Sequence, residues 1–184
     1  MRRSLDVVSE GGERPRFTPP MTARQFERLS EFIRVQCGIR IPPGKKVMLE
    51  ARLQKRLRSL GLCSFGDYCE RLFNSPEDDE EIVQMIDAIT TNKTDFFREP
   101  VHFQYLSDTV LPEFAAANDA LTGRPFSLWS AGCSSGEEPY TLSMVLSDYA
   151  ERRTGFRFSI FATDISTRIL EQARLGIYEK ERVA

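Results

Sequence analysis

The sequence predicts an α/β fold preceded by a small all-α bundle. From residue 22 to residue 90, apolar residues recur three or four positions apart, which is helical spacing. A short apolar strand at Phe126–Trp129 then leads through small residues into an acidic helix start, and a second strand, turn and helix follow from Phe156 to Arg174. Strands that alternate with helices are typical of βαβ units in an open sheet.

Helix start and stop signals divide the bundle into four predicted helices. Gly38 and Gly61 end the first two, since glycine readily adopts the left-handed conformation found at helix ends. Ser64 begins the third, and the segment Ser75–Asp78 supplies an N-cap, a first-turn proline and acids for the fourth. We attribute the acids of Glu77–Glu81 to the favourable effect of negative charge at a helix N-terminus. The residues expected to face the core are Phe26, Leu29, Ile33 and Cys37, then Leu49, Leu53, Leu57 and Leu60, then Phe65, Tyr68 and Leu72, and finally Ile82, Met85, Ile86 and Ile89.

These signals predict the domain boundaries. Residues 1–20 are a disordered tail, 21–90 a helical domain, 91–124 a linker with a connecting helix near Pro100–Ala117, and 125–184 the α/β part.

Composition narrows the class of protein. The net charge of −2 argues against extensive nucleic-acid binding, and no apolar run approaches the length of a membrane-spanning helix. The four cysteines lack metal-ligand spacing, which favours free thiols in a reducing compartment over a metal site. The single histidine, His102, disfavours serine or cysteine triads and histidine-rich metal centres. We expect a cytoplasmic monomer without a metal ion.

The segment after the first strand resembles a cofactor cradle. Gly132 and Gly136 permit close backbone approach or positive φ in a turn of small residues. Glu137 and Glu138 then lie in the first turn of a helix that is expected to begin near Pro139. Carboxylates there would repel phosphate, so this turn favours hydroxyl groups or a cation over a pyrophosphate.

The second strand ends at Asp164. In an open α/β sheet, ligands bind beyond the carboxyl ends of the strands, and an acid at this place typically accepts from the two hydroxyls of a ribose. Each of these two strand–turn–helix segments has an alternative interpretation as an ordinary βα unit. In that case small residues merely fill the first turn, and the aspartate caps a helix after the second strand.

Three motifs in order resemble the CheR-type chemotaxis receptor methyltransferases. They are "ITTNKTDFFREPVHF" at Ile89–Phe103, "SAGCSSGEEPY" at Ser130–Tyr140 and "FATDIS" at Phe161–Ser166, and the similarity runs from about Phe26 to the end. The resemblance implies the first half of a class I (Rossmann-like) sheet that binds S-adenosylmethionine. Because the family's sheet has several more strands, we expect a fragment of a longer product or a truncated homologue.

The resemblance also implies roles for the first motif. Asn92, Thr94 and Arg98 would reach over the cofactor, with Arg98 as the catalytic candidate near the methionine carboxylate or the incoming glutamate. The alternatives are that Arg98 caps or bridges the linker to the sheet and that Asn92 and Thr94 only form a turn.

The implied reaction is methyl transfer from S-adenosylmethionine to glutamates in the cytoplasmic helical domain of chemotaxis receptors, giving methyl esters. A glutamate with a pKa of about 4.3 is already an anion at neutral pH, so no general base is needed. A non-catalytic module that binds receptor or senses cofactor remains the alternative, and the acidic turn disfavours a nicotinamide-dependent oxidoreductase.

The second predicted helix carries most of its cations on one side of the leucine stripe. This side is either a solvated face or a surface that docks an acidic receptor helix by charge complementarity. The candidate substrate-binding residues are Arg52, Lys55, Arg56 and Arg58.

Overall fold

The computed structural model describes residues 18–74, 79–117 and 125–183, and the chain divides into two compact units, Met1–Ile89 and Thr90–Ala184. The predicted tail up to residue 17, the N-cap at Ser75–Asp78 and the polar stretch 118–124 lie outside the described residues. The two units are described separately below.

The first unit is helical, and its helices end where the glycines predict. Gly38 and Gly61 both take the left-handed conformation after a helix, with φ of 75° and 68°. Thr22 begins the first helix with a capping box, in which its hydroxyl accepts from the Gln25 amide and the Gln25 side chain accepts from the Thr22 amide. The helices are α1 (Ala23–Cys37), α2 (Lys46–Leu60) after a short 3-10 turn at Pro43–Lys45, α3 (Phe65–Asn74) and α4 (Asp79–Ile89).

The predicted apolar faces meet in one core. Leu29, Ile33, Leu49, Leu53 and Leu57 are fully buried. Cys37, Leu60 and Ile82 pack against this core while remaining partly exposed. The helical periodicity of the sequence therefore identified the core of this unit correctly.

A buried polar cluster links three helices of the first unit. The Glu81 carboxylate on α4 is 3% exposed, and it forms an ion pair with Arg56 of α2 and accepts a hydrogen bond of 2.8 Å from the Tyr68 hydroxyl of α3. Burial, followed by the nearby Glu81 charge, raises the pKa of Tyr68, so the hydroxyl stays a neutral donor. Glu81 lies in the first turn of α4, as predicted, and it is also an internal partner of Arg56, which the sequence did not indicate.

The second unit contains two parallel strands with helices between and beside them. Its elements are α5 (Pro100–Tyr105), a π-helical segment at Leu106–Val110, α6 (Leu111–Ala117), β1 (Phe126–Ala131), α7 (Glu137–Glu151), β2 (Phe158–Thr163), α8 (Thr167–Leu175) and α9 (Lys180–Val183). α7 begins at Glu137, two residues earlier than predicted, because Gly136 takes the N-cap position with a φ of 101°. Both acids nevertheless lie in the first turn, as expected.

The strands pair in parallel register, from Phe126 opposite Phe158 to Ala131 opposite Thr163. Their carboxyl ends therefore lie at the same edge of the sheet, and the turns that follow them are neighbours. This arrangement confirms the predicted α/β architecture behind an all-α part.

The two faces of the sheet differ in burial. Leu128 packs in the apolar cluster that contains Leu142 and Leu146 of α7. On the other face, Trp129 and its register partner Phe161 are 65% and 68% exposed. The prediction of a buried first strand holds for one face only. Successive side chains of a strand point to opposite faces, and an apolar run does not reveal whether both faces are covered.

Candidate functional site

The turns after β1 and β2 are joined by backbone hydrogen bonds. The amides of Gly132 and Cys133 both donate to the Thr163 carbonyl, at 2.8 and 2.9 Å. This double contact fixes the small-residue turn directly beside Asp164. The sequence predicted this proximity from the parallel strands, and the structure confirms it.

Asp164 is oriented by two backbone amides. Its Oδ2 accepts from the Ser134 amide at 2.8 Å and its Oδ1 accepts from the Ser166 amide at 2.9 Å. An ionised carboxylate offers about four acceptor positions. Two of them are used here, so the carboxylate keeps acceptor capacity for two further donors while its orientation is fixed.

The two acids at the start of α7 occupy different environments. Glu138 lines a cavity and accepts a hydrogen bond of 2.6 Å from the Ser130 hydroxyl. Glu137 is fully buried and does not line this cavity. Its Oε2 accepts from the Ser135 hydroxyl at 2.6 Å, and its Oε1 lies 2.6 Å from Nη2 of Arg182 in an ion pair that is not aligned as a hydrogen bond. The structure therefore brings Glu138 to the cavity and Glu137 into an internal ion pair.

The two glycines of the turn also differ. Gly132 lines the cavity with a φ of 82°, and a Cβ added to it would meet nothing within 4 Å. A Cβ on Gly136 would lie 2.5 Å from the Tyr178 hydroxyl oxygen. Gly132 thus leaves room for a ligand, whereas Gly136 leaves room for a tyrosine of the same chain.

The segment 92–98 forms another wall of the cavity. The Ser134 hydroxyl donates to the Asn92 carbonyl at 3.0 Å, and the Phe97 amide donates to the Thr141 hydroxyl at 3.2 Å. These bonds hold the segment against the turn and α7. Asn92, Thr94 and Arg98 all line the cavity, so the structure brings the three predicted residues together.

Arg98 also makes a local contact. Its Nη1 donates to the Lys93 carbonyl at 3.0 Å, a contact within segment 92–98 and not a bridge to the sheet. A guanidinium carries five N–H donors in a planar fork, so one backbone contact does not exhaust it.

Three residues in or next to the walls of the cavity hold unusual backbone conformations. Phe97, Glu99 and Ser134 have φ values of 53°, 57° and 52°, in the left-handed region that non-glycine residues rarely adopt. Such strain is concentrated at functional sites. It therefore adds support to this cavity as the site.

Several lining residues were missed by sequence reasoning. They come from the helical segment after Arg98, from strand ends and from α7: His102, Phe103, Leu106, Leu128, Ser134, Leu142 and Ile165. One signal was available, since His102 and Leu106 are spaced four apart and so share a helix face.

The cavity has a volume of about 900 Å³ and combines carboxylates with apolar side chains. Asp164 and Glu138 suit hydroxyl groups and a cationic amine, and Leu128, Leu142 and Phe103 suit a flat aromatic base. The open space at Gly132 admits a ligand close to the backbone. This donor set fits S-adenosylmethionine, which carries a ribose, an ammonium, a sulfonium and an adenine.

Burial also affects the thiol beneath the turn. Burial, followed by the charges of Asp164 and Glu138, raises the pKa of Cys133. The thiol is therefore neutral and packs as a small apolar group. All four cysteines are unpaired, with Cys69 also buried and Cys63 exposed.

The structure separates the four cations proposed for receptor docking into two pairs. Arg56 is paired with Glu81, and Nη1 of Arg52 donates to the Ile89 carbonyl at the end of α4. Of the four cations, only Lys55 and Arg58 are exposed to solvent; Arg52 and Arg56 are partly buried.

The described parts of the chain lack two further features. No helix among residues 18–74, 79–117 and 125–183 is long and apolar enough to cross a membrane. Within the same ranges, no group of three or more histidine, cysteine, aspartate or glutamate side chains is placed to hold a metal ion.

Comparison with known families identifies the class. Residues 92–184 match the family described as CheR methyltransferase, SAM binding domain, and residues 24–90 match the CheR methyltransferase all-alpha domain. The class is thus a methyltransferase domain that binds S-adenosylmethionine (SAM), preceded by an all-α domain, and SAM is its methyl donor. The chain belongs to the CheR methyltransferase family, which confirms the resemblance seen in the three motifs.

Curated relatives agree with this assignment. The chain is 38% identical over 164 residues to the chemotaxis protein methyltransferase of Borreliella burgdorferi, covering 89% of this chain and 58% of the relative. It is 40% identical over 158 residues to that of Escherichia coli, covering 86% and 51%. The chain therefore spans about half the length of the curated relatives that it matches.

Proposed function

We propose that this chain provides the SAM-binding part of an enzyme that methylates glutamate side chains of chemotaxis receptors to methyl esters. The observation that carries the proposal is the placement of two carboxylates, Asp164 and Glu138, beside Gly132 in a cavity walled by segment 92–98. The family match supplies the methyl donor, and the names of the relatives supply the chemotaxis context.

Different lining residues bind different parts of the cofactor. Asp164 accepts from the two ribose hydroxyls, because its orientation is fixed by amides and its remaining lone pairs are available. Glu138 attracts the amino group, and Arg98 attracts a carboxylate. Apolar side chains such as Leu142 and Phe103 contact the adenine. Asn92 and Thr94 contribute mainly by shaping the wall that carries Arg98.

Bound SAM supplies a methyl group on a positively charged sulfur. The chain's own contribution is to orient the two reactants and to exclude water, which is worth several orders of magnitude in rate when the geometry is fixed. A receptor glutamate reaches the site as an anion at neutral pH, since its ordinary pKa is about 4.3. None of the residues lining the cavity therefore has to act as a general base toward this glutamate.

We also propose that the partner is the cytoplasmic helical domain of a chemotaxis receptor, met by a monomeric chain in the cytoplasm. Lys55 and Arg58 on α2 are the exposed cations that would attract an acidic receptor helix. Arg52 and Arg56 contribute indirectly by fixing α2 to α4. The domain limits 21–90, 91–124 and 125–184 are proposed as working boundaries.

Calorimetry with S-adenosylhomocysteine tests the proposal most directly. The folded chain is expected to bind it, and substitution Glu138→Gln is expected to weaken binding by about 1 to 2 kcal/mol, the scale of a charge-assisted hydrogen bond. Asp148→Asn, which removes an exposed acid of the same helix, is the matched control and is expected to leave binding unchanged. If Glu138→Gln had no effect in a folded chain, Glu138 would be removed from the site.

A second experiment separates catalysis from binding. The chain is mixed with labelled SAM and a receptor cytoplasmic fragment, and methyl esters are measured as methanol released by base. Turnover supports the enzyme. Binding without turnover would overturn the catalytic part of the proposal and leave the alternative, a non-catalytic cofactor-binding or receptor-binding module.

A further inference from the structure

The segment that follows α8 contacts both walls of the cavity described above. The Tyr178 hydroxyl donates to the Ser135 carbonyl of the turn at 2.6 Å. The Tyr178 ring meets Phe96 of segment 92–98 edge to face, with 4.9 Å between ring centroids. Burial, followed by the charge of Glu137, raises the pKa of Tyr178 to about 12, so this hydroxyl remains a neutral donor at physiological pH.

Arg182 of α9 makes a second and more direct bridge. Its Nη2 lies 2.6 Å from Oε1 of Glu137, at the start of α7. The same Nη2 donates to the Thr94 carbonyl at 3.1 Å and lies 3.8 Å from Oδ1 of Asp95. One guanidinium therefore contacts the turn side and the segment 92–98 side of the cavity together.

The buried charge of Glu137 holds the Arg182 guanidinium in place. Its side chain is fully buried, and a buried carboxylate is costly unless it is paired and hydrogen-bonded. The Ser135 hydroxyl provides one partner and Arg182 provides the positive charge. Since Arg182 is drawn to a fixed buried anion, its contact with the Thr94 carbonyl pulls segment 92–98 toward the turn.

We propose that Arg182 is a positioning residue for the cofactor site, which holds segment 92–98 at the spacing that the cofactor requires. The inference rests on the proposed function, in which this cavity binds SAM. Arg182 does not line the cavity, so it acts through Thr94 and its neighbours. A wall that is fixed before binding does not have to be ordered by the ligand, and affinity rises accordingly.

The test compares Arg182→Gln and Arg182→Lys with the control Arg152→Gln in the full chain. Arg152 also pairs with an acid, Asp148 at 2.7 Å, but both side chains are exposed. Without ligand, Arg182→Gln is expected to speed amide hydrogen exchange in segment 92–98 about tenfold, whereas Arg152→Gln leaves that exchange unchanged. Arg182→Lys restores the charge and is expected to return exchange to within threefold of the parent chain.

Two ligands separate positioning from general destabilisation. Arg182→Gln is expected to weaken S-adenosylhomocysteine about tenfold and adenosine less than twofold, because adenosine lacks the amino-acid part that segment 92–98 would hold. Equal weakening of both ligands, or unchanged exchange in a folded Arg182→Gln chain, overturns the inference. If the parent chain binds neither ligand, the proposed function fails, and hydrogen exchange alone decides whether Arg182 holds the segment.

Discussion

The core of the helical unit and the cavity of the α/β unit use charged side chains in opposite ways. In the helical unit, Arg56 and Glu81 pair inside the molecule and join α2 to α4. In the α/β unit, Glu138 and Asp164 face a cavity of about 900 Å³, and their protein partners are a serine hydroxyl and backbone amides. A carboxylate paired with an arginine stabilises a fold, whereas a carboxylate held by neutral donors keeps its charge available for a ligand.

The comparison also explains why charge patterns mislead when they are taken from one helix alone. The cations of α2 form a basic stripe in the sequence, yet the structure gives Arg56 an acidic partner on another helix. The function of a charged residue therefore depends on which element lies opposite. This contrast can be tested by substitution, from the largest expected effect to the smallest.

The largest effect is expected at the buried ion pair of the helical unit. Glu81→Ala leaves Arg56 without its buried counter-ion and removes the acceptor of the Tyr68 hydroxyl, so the free energy of unfolding should fall by about 3 to 5 kcal/mol. Urea titration followed by far-ultraviolet circular dichroism measures it.

The matched control is Glu31→Ala, which breaks an exposed ion pair with Arg34 in the same unit. Exposed pairs contribute little to stability, because solvent screens the two charges, so a much smaller effect is expected. If Glu81→Ala and Glu31→Ala lowered the free energy of unfolding equally, the buried ion pair would contribute no more to stability than an exposed one. The proposed difference between structural charges and ligand-binding charges would then be wrong.

The next effect is expected at the ribose acid. Asp164→Ala should weaken S-adenosylhomocysteine binding by about 2 to 4 kcal/mol, since the charge-assisted hydrogen bonds to both ribose hydroxyls are lost. Calorimetry measures the loss, and Asp148→Ala, an exposed aspartate on α7, should leave affinity unchanged. Unaltered affinity in a folded Asp164→Ala chain would remove Asp164 from the site.

A smaller difference should separate the two glycines of the turn. Both have positive φ, so an alanine is strained at either position. Gly136→Ala should cost about 1 to 3 kcal/mol more stability than Gly132→Ala, because its Cβ would also overlap the Tyr178 hydroxyl. Gly132→Ala should instead act on cofactor affinity. Thermal unfolding and calorimetry on both variants check this, and equal melting temperatures would contradict it.

The smallest effect is expected on receptor docking. Lys55→Glu with Arg58→Glu should lower receptor binding and flatten its salt dependence, because surface attraction is screened over about 8 to 10 Å at physiological ionic strength. Titration against a receptor cytoplasmic fragment at two salt concentrations measures both quantities. Cofactor affinity should not change.

A matched pair controls for net charge. Arg24→Glu with Arg40→Glu makes the same charge change at exposed positions of the same unit. If both double variants bound receptor alike, Lys55 and Arg58 would be an ordinary solvated surface.

Local signals in the sequence predicted most of the fold. Gly38 and Gly61 end helices because glycine tolerates the left-handed conformation, and Leu49, Leu53 and Leu57 are buried because their spacing places them on one face. The neighbouring positions of Gly132 and Asp164 followed from parallel strands. Each of these inferences depends on residues that are close in sequence or on one topological rule.

Long-range partners were not predictable in this way. Arg56 and Glu81 are 25 residues apart, and Glu137 and Arg182 are farther still, so no periodic pattern links them. For the same reason, the prediction that Glu137 and Gly136 contact a ligand did not anticipate that Glu137 pairs with Arg182 and that Gly136 lies against Tyr178. Which side of β1 is covered was also hidden, because both sides carry apolar residues.

Trp129 is placed to report on ligand binding through its intrinsic fluorescence. Trp129 is the sole tryptophan of the sequence, and its indole N–H donates to the Thr163 hydroxyl at 3.0 Å, one residue before Asp164. Its fluorescence therefore originates beside the proposed ribose site and nowhere else in the chain. A ligand that rearranges this strand end should shift the emission maximum or intensity, so occupancy could be followed without any attached label.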